Sequence, residues 1–149
     1  MRKIITVLAC VAVVLFAASC KTGPFSNQED ANNAFDKIYK QYRSSLILDG
    51  AKDYTVVSGD TLSAITQKNY GDQNTYYFPV IMLASNDEVK DPDLIRPGMK
   101  LVIPDLQKNL NNPGSRAKMK DYLKEIATVY NRKGNPTVEK NLIDLSNSL

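Results

Sequence analysis

The sequence predicts an α+β fold in which two short strands bracket two short helices, with an N-terminal helix before this unit and C-terminal helices after it. Three observations predict it. The runs Tyr54-Thr55-Val56-Val57 and Lys100-Leu101-Val102-Ile103 are β-branched or aromatic enough for strands. Between them lie two short stretches with apolar residues at helical spacing. On either side, longer apolar stripes repeat near 3.6 residues.

The first segment is set aside before any folding argument. Arg2 and Lys3 precede the 15-residue apolar run from Ile4 to Ala18, and the small residues Ala17-Ala18-Ser19 lead into Cys20. The run is too short and too cleavage-like at its end for a stable span, so residues 1–19 are expected to be an export signal. Small residues directly before Cys20 resemble a bacterial lipobox, although Ala17 stands where leucine is more usual. That resemblance implies a lipid, such as palmitate, on Cys20 and an anchor in a membrane leaflet facing the periplasm or the cell exterior. Each buried methylene of an acyl chain contributes about 0.8 kcal/mol, so several chains hold firmly. Cys10 lies inside the discarded segment, which leaves no pair of cysteines for a disulfide framework. Residues 20–25 are then a lipidated tether.

Residues 26–50 are expected to hold the N-terminal helix. Ser26 and Glu29 have the spacing of a capping box, and Ala31, Ala34, Phe35, Ile38, Tyr39, Tyr42 and Leu46 form its stripe over about 27–48, with a stop at Asp49-Gly50. After the first strand, Ser58-Gly59-Asp60 reads as a tight turn and Thr61 as the entry to a helix with Leu62 and Ile65 facing inward; Tyr70-Gly71-Asp72 breaks it. A second helix is expected over about 76–85, with Pro79 in its first turn, where proline is tolerated. Asn86 opens a long loop punctuated by Pro92 and Pro97-Gly98, and Pro104 stops the second strand. Strands this far apart can pair antiparallel with both helices on one face. Met119, Tyr122, Leu123, Ile126, Ala127 and Tyr130 mark a helix in the region 114–149, and Val138, Leu142 and Leu145 mark another after Pro136. A unit of about 50 residues buries only about 60% of its unfolded surface, so the flanking helices are expected to pack on it or on each other.

Charge and side-chain inventory narrow the function. The chain of 149 residues carries 19 basic and 16 acidic side chains, net +3, and loss of Arg2 and Lys3 with the export signal leaves +1. The basic clusters Lys37, Lys40, Arg43 and Lys118, Lys120, Lys124 are interleaved with acids or apolar positions, so no nucleic-acid partner is expected. There is no histidine. Metal-dependent or Cys-His peptide cleavage therefore lacks its groups, and the four glutamates, Glu29, Glu88, Glu125 and Glu139, have no substrate-enclosing domain around them. No catalytic residue, metal site or cofactor is expected.

The segments YTVVSGDTLSAI at 54–65, NYGD at 69–72, Asn86 and DPDLIRPGMKLVIP at 91–104, in this order and spacing, resemble the LysM domain, a module that binds peptidoglycan and chitin oligomers. The resemblance covers Tyr54 to Pro104, within a domain drawn at 54–105. It implies a βααβ fold whose two loops form a shallow groove for sugars bearing N-acetyl groups. On it, the glycan contacts are expected from Gly59, Asp60, Thr61 and Leu62 on one side and from Asp91, Pro92, Asp93, Leu94 and Ile95 on the other. Tight loops free backbone donors and acceptors for the sugar's amide and hydroxyls, a leucine or isoleucine suits the acetyl methyl, and Gly59 allows close approach. Asp60 has an alternative as the cap of the helix that follows it. Leu62 and Ile65 suit the core as well, and Asn86 suits side-chain bonds that tie its loop together. The resemblance implies an envelope protein that tethers cell wall to membrane; the alternative is an adaptor whose flanking helices bind another envelope protein. An open groove favours the first and an occluded groove the second.

Overall fold

A computed structural model describes residues 23–149. The expected export signal, Cys20 and the start of the tether lie outside the described residues. The elements are α1 (Gln28–Tyr42), β1 (Lys52–Thr55), α2 (Leu62–Tyr70), α3 (Phe78–Ala84), β2 (Lys100–Ile103), α4 (Leu106–Asn111), α5 (Pro113–Arg132) and α6 (Pro136–Ser148), with 3₁₀ turns at Arg43–Ser45, Asp72–Tyr77 and Pro92–Leu94.

The strand pair is antiparallel, with Lys52 opposite Ile103 and Thr55 opposite Lys100. It therefore starts two residues before the expected Tyr54. Val56 still pairs, since its N–H donates to Met99 O at 2.9 Å and its carbonyl accepts from Gly98 N at 2.8 Å. Gly98 turns the partner chain away there, so the regular ladder ends at Thr55. Ser85, just past α3, closes the other edge: its Oγ accepts from Val102 N at 2.8 Å. Leu101 and Ile103 are buried against the helices.

Two local readings need correction. Asn27, not Ser26, caps α1, its Oδ1 accepting from Asp30 N at 2.9 Å; Ser26 instead donates to the Asp30 carboxylate. The helix also ends at Tyr42 rather than near 48. Ser45 Oγ donates to Tyr42 O, which tightens the chain into the 3₁₀ turn. Beyond it, buried Asn109 of α4 accepts from Ile47 N and donates to Ile47 O, both at 2.9 Å, and holds that segment extended. Helix α4 itself is absent from the sequence reading, although Asp105 as N-cap followed by Leu106 and Leu110 carries its signature.

The flanking helices share one core with the βααβ unit. Phe35, Tyr39 and Tyr42 of α1, Leu62, Ile65, Val80 and Ile81 of the central unit, and Tyr122, Leu123, Ile126 and Leu142 of the C-terminal helices belong to a single buried cluster. Tyr122, 1% exposed, donates its hydroxyl to Pro79 O at 2.8 Å. Burial pushes that phenol well above its ordinary pKa. The aromatic stripes are thus spent on packing, as the small size of the unit requires.

Candidate functional site

The loop after β1 is built by Asp60. One of its carboxylate oxygens accepts from Val57 N and from Tyr54 Oη, both at 2.9 Å. The Val57 amide is the main cause that holds the Asp60 carboxyl below its ordinary pKa, and the Tyr54 hydroxyl adds to it. Asp60 does not cap α2. Thr61 does, its Oγ1 accepting from Ala64 N at 3.1 Å. Gly59 has φ +90°, a conformation costly for side-chain-bearing residues, and a Cβ there would meet open space. It is exposed, as is Thr61, whereas Leu62 is 4% exposed and belongs to the core.

The loop before β2 is pinned from two sides. Lys133, at the end of α5, places Nζ at 2.7 and 2.6 Å from the two Asp91 oxygens and at 2.6 Å from Asp93 Oδ2. Gln28 of α1 donates to Asp91 Oδ2 at 2.6 Å. Asp91 also accepts from Asp93 N at 2.9 Å, which starts the 3₁₀ turn. Its side chain is fully buried, and Pro92 is buried beside it. Asp91 serves the loop's own structure, while Asp93 and Leu94 are exposed and Ile95 is half-buried. Asn86, expected to tie this loop, has a buried Oδ1 with no hydrogen-bond partner; Lys90 bonds its backbone carbonyl instead.

Between the two loops lies an open cleft of about 760 Å³. Asp60, Thr61 and Leu62 line one part, and Pro92, Asp93 and Ile95 another. Tyr76 lines it too, as do Tyr130, Asn135 and Val138 from the C-terminal helices. The structure thus brings together the sequence-derived loops, adds a wall from beyond residue 104, and leaves Gly59, Asp91 and Leu94 outside the lining, Asp91 buried and the other two exposed beside it. Among the described residues no cluster of three or more acidic, histidine or cysteine side chains could hold a metal.

The profile of the LysM domain matches residues 54–104, the span that contains both strands, α2, α3 and both loops. Residues 54–104 are a LysM domain. Over 52 residues the chain is 50% identical to the potassium binding protein Kbp of Escherichia coli O6:H1, covering 35% of this chain and 34% of Kbp. It is 47% identical over 51 residues to an uncharacterized protein of Deinococcus radiodurans, covering 34% of this chain and 19% of that protein. With Esterase Rv1288 of Mycobacterium tuberculosis it shares 38% identity over 60 residues, covering 40% of this chain and 12% of the esterase. The match spans about a third or less of each relative, so what is shared is the LysM domain and not the whole protein. No solved structure matches the chain. LysM domains are binding modules, and what the match suggests for residues 54–104 is binding of an N-acetylglucosamine-containing glycan.

Proposed function

We propose that this chain is a non-catalytic envelope lipoprotein that holds peptidoglycan through its LysM domain and tethers the wall to a membrane through lipid on Cys20. The observation that carries this reading is the open cleft. Gln28 and Lys133 take up Asp91, but Thr61 and Asp93 line the cleft and are exposed, and Gly59 and Leu94 are exposed on the same two loops, with Leu94 44% exposed. An adaptor with an unused groove has less support, because the apolar faces of the flanking helices are already packed in the common core.

The chemistry follows from what each group still has free. The Asp60 oxygen that bonds Val57 and Tyr54 stiffens the turn, so the glycan meets the backbone of residues 58–61 and the Thr61 hydroxyl, whose proton remains free to donate while Oγ1 accepts from Ala64 N. Leu94 and Ile95 offer apolar contact for an acetyl methyl. One such module binds weakly, and a lipid anchor raises its effective concentration at the wall.

The test is cosedimentation of residues 21–149 with purified sacculi, competed by N-acetylglucosamine oligomers and repeated with Leu94→Asp. Binding lost to both oligomers and substitution is expected; folded protein that stays in the supernatant overturns the reading. For the anchor, labelled palmitate is expected on the full chain and absent from Cys20→Ala, and equal labelling of both removes the lipid from the proposal.

A further inference from the structure

We infer that the turn joining α5 to α6 is part of the glycan site, with Asn135 and Val138 as specificity-determining contacts that a LysM domain alone does not supply. The inference rests on the glycan reading above and assigns residues to that same cleft.

Position comes first. Asn135 and Val138 line the cleft together with Asp60, Thr61 and Ile95. They are held there by two independent devices. Lys133, two residues before Asn135, is salt-bridged to Asp91 and Asp93 of the LysM loop. The turn is also closed by Gly134 N to Asn131 O and Asn135 N to Tyr130 O, both at 2.9 Å, with Gly134 at φ +75°. The wall is therefore preorganised, and little ordering cost attends binding.

Chemistry comes second. Asn135 Oδ1 is occupied, accepting from Val138 N at 3.2 Å as the cap of α6. Its Nδ2 has no protein partner among the described residues and can donate to an acetamido carbonyl. Val138 is half-buried, with an isopropyl group sized for the acetyl methyl or a pyranose face. A donor and an apolar contact side by side match the two parts of an N-acetyl group.

The experiment is calorimetric titration of residues 23–149 with the N-acetylglucosamine pentamer, comparing parent, Asn135→Asp, Val138→Thr and Leu94→Asp. Asn135→Asp keeps the helix cap and removes the amide donor; Val138→Thr keeps the shape and replaces a methyl with hydroxyl. Each is expected to weaken binding about three- to tenfold, the worth of a single contact. On the parent, the Asn135 side-chain amide and Val138 methyl resonances are expected to shift on titration. If both variants bind like the parent and only residues 59–62 and 94–95 shift, while Leu94→Asp abolishes binding, the C-terminal wall is overturned and the LysM reading stands. If the parent binds no pentamer, both fall.

Discussion

Lys133 Nζ sits between Asp91 and Asp93, 2.6 Å from an oxygen of each, and so the side chain of the residue that caps the C-terminal end of α5 fastens the C-terminal helices to the second LysM loop. The Asp91 side chain is fully buried, and that of Lys133 is 15% exposed. Removing the lysine alone strands a buried carboxylate, and Lys133→Met is expected to cost about 3 kcal/mol, the lower end for a broken buried pair. Adding Asp91→Asn, which keeps the bond from Asp93 N, is expected to recover more than half of it. Urea unfolding of both variants checks this; equal destabilisation of the single and double variants contradicts it.

Asn109 makes a further long-range clasp. It is 0% exposed, bonds both backbone groups of Ile47 and accepts from Ser115 Oγ at 2.8 Å. Asn109→Ala leaves those groups unpaired, with an expected loss of about 1–3 kcal/mol. Hydrogen exchange at the Ile47 amide is expected to accelerate beyond what the global loss explains.

Asp60 gives the first loop a pH dependence of known sign. Its folded pKa lies below the ordinary 3.8, chiefly because of the Val57 amide. A depressed carboxyl stabilises fully above its unfolded value and loses that contribution as pH falls through the folded one. The turn is therefore expected to hold at neutral pH and to loosen only below about pH 4. The Val57 amide proton shift is expected to titrate with a midpoint under 3.8 in the parent and to be flat in Asp60→Asn; a higher midpoint contradicts the geometry.

Gly59 is constrained by backbone and not by space, since φ is +90° and a Cβ meets nothing within 4 Å. Gly59→Ala is expected to cost about 1–2 kcal/mol, and Gly59→Asn less, because asparagine tolerates positive φ. Thermal melting of the pair checks the order.

Much of the fold was legible because it rests on local signals. Val56 and Leu101, at the core of the two strand runs, and the 3.6-residue stripe from Met119 to Tyr130 show in periodicity alone. The Asn27 cap and the stop at Tyr42 did not. Ser26 and Asn27 are both good caps, and choosing between them takes backbone geometry; the stop depends on Ser45 and on Asn109, which stands 62 residues from Ile47. In the candidate site, both loops were legible from their spacing. Which of their side chains remain free was not.

The sequence by itself determined the LysM domain and the helical character of its flanks, because turn residues, strand runs and apolar stripes act over short separations. Only tertiary structure decided that Asp91 is held by Gln28 and Lys133, that Asp60 closes its own turn instead of capping α2, and that Asn135 and Val138 face the same cleft as Thr61. The first and last depend on partners far apart in the chain, and the Asp60 turn depends on backbone geometry that its neighbours' residue types leave open. A residue's type states which bonds it can make, and packing states which of them are left for a ligand.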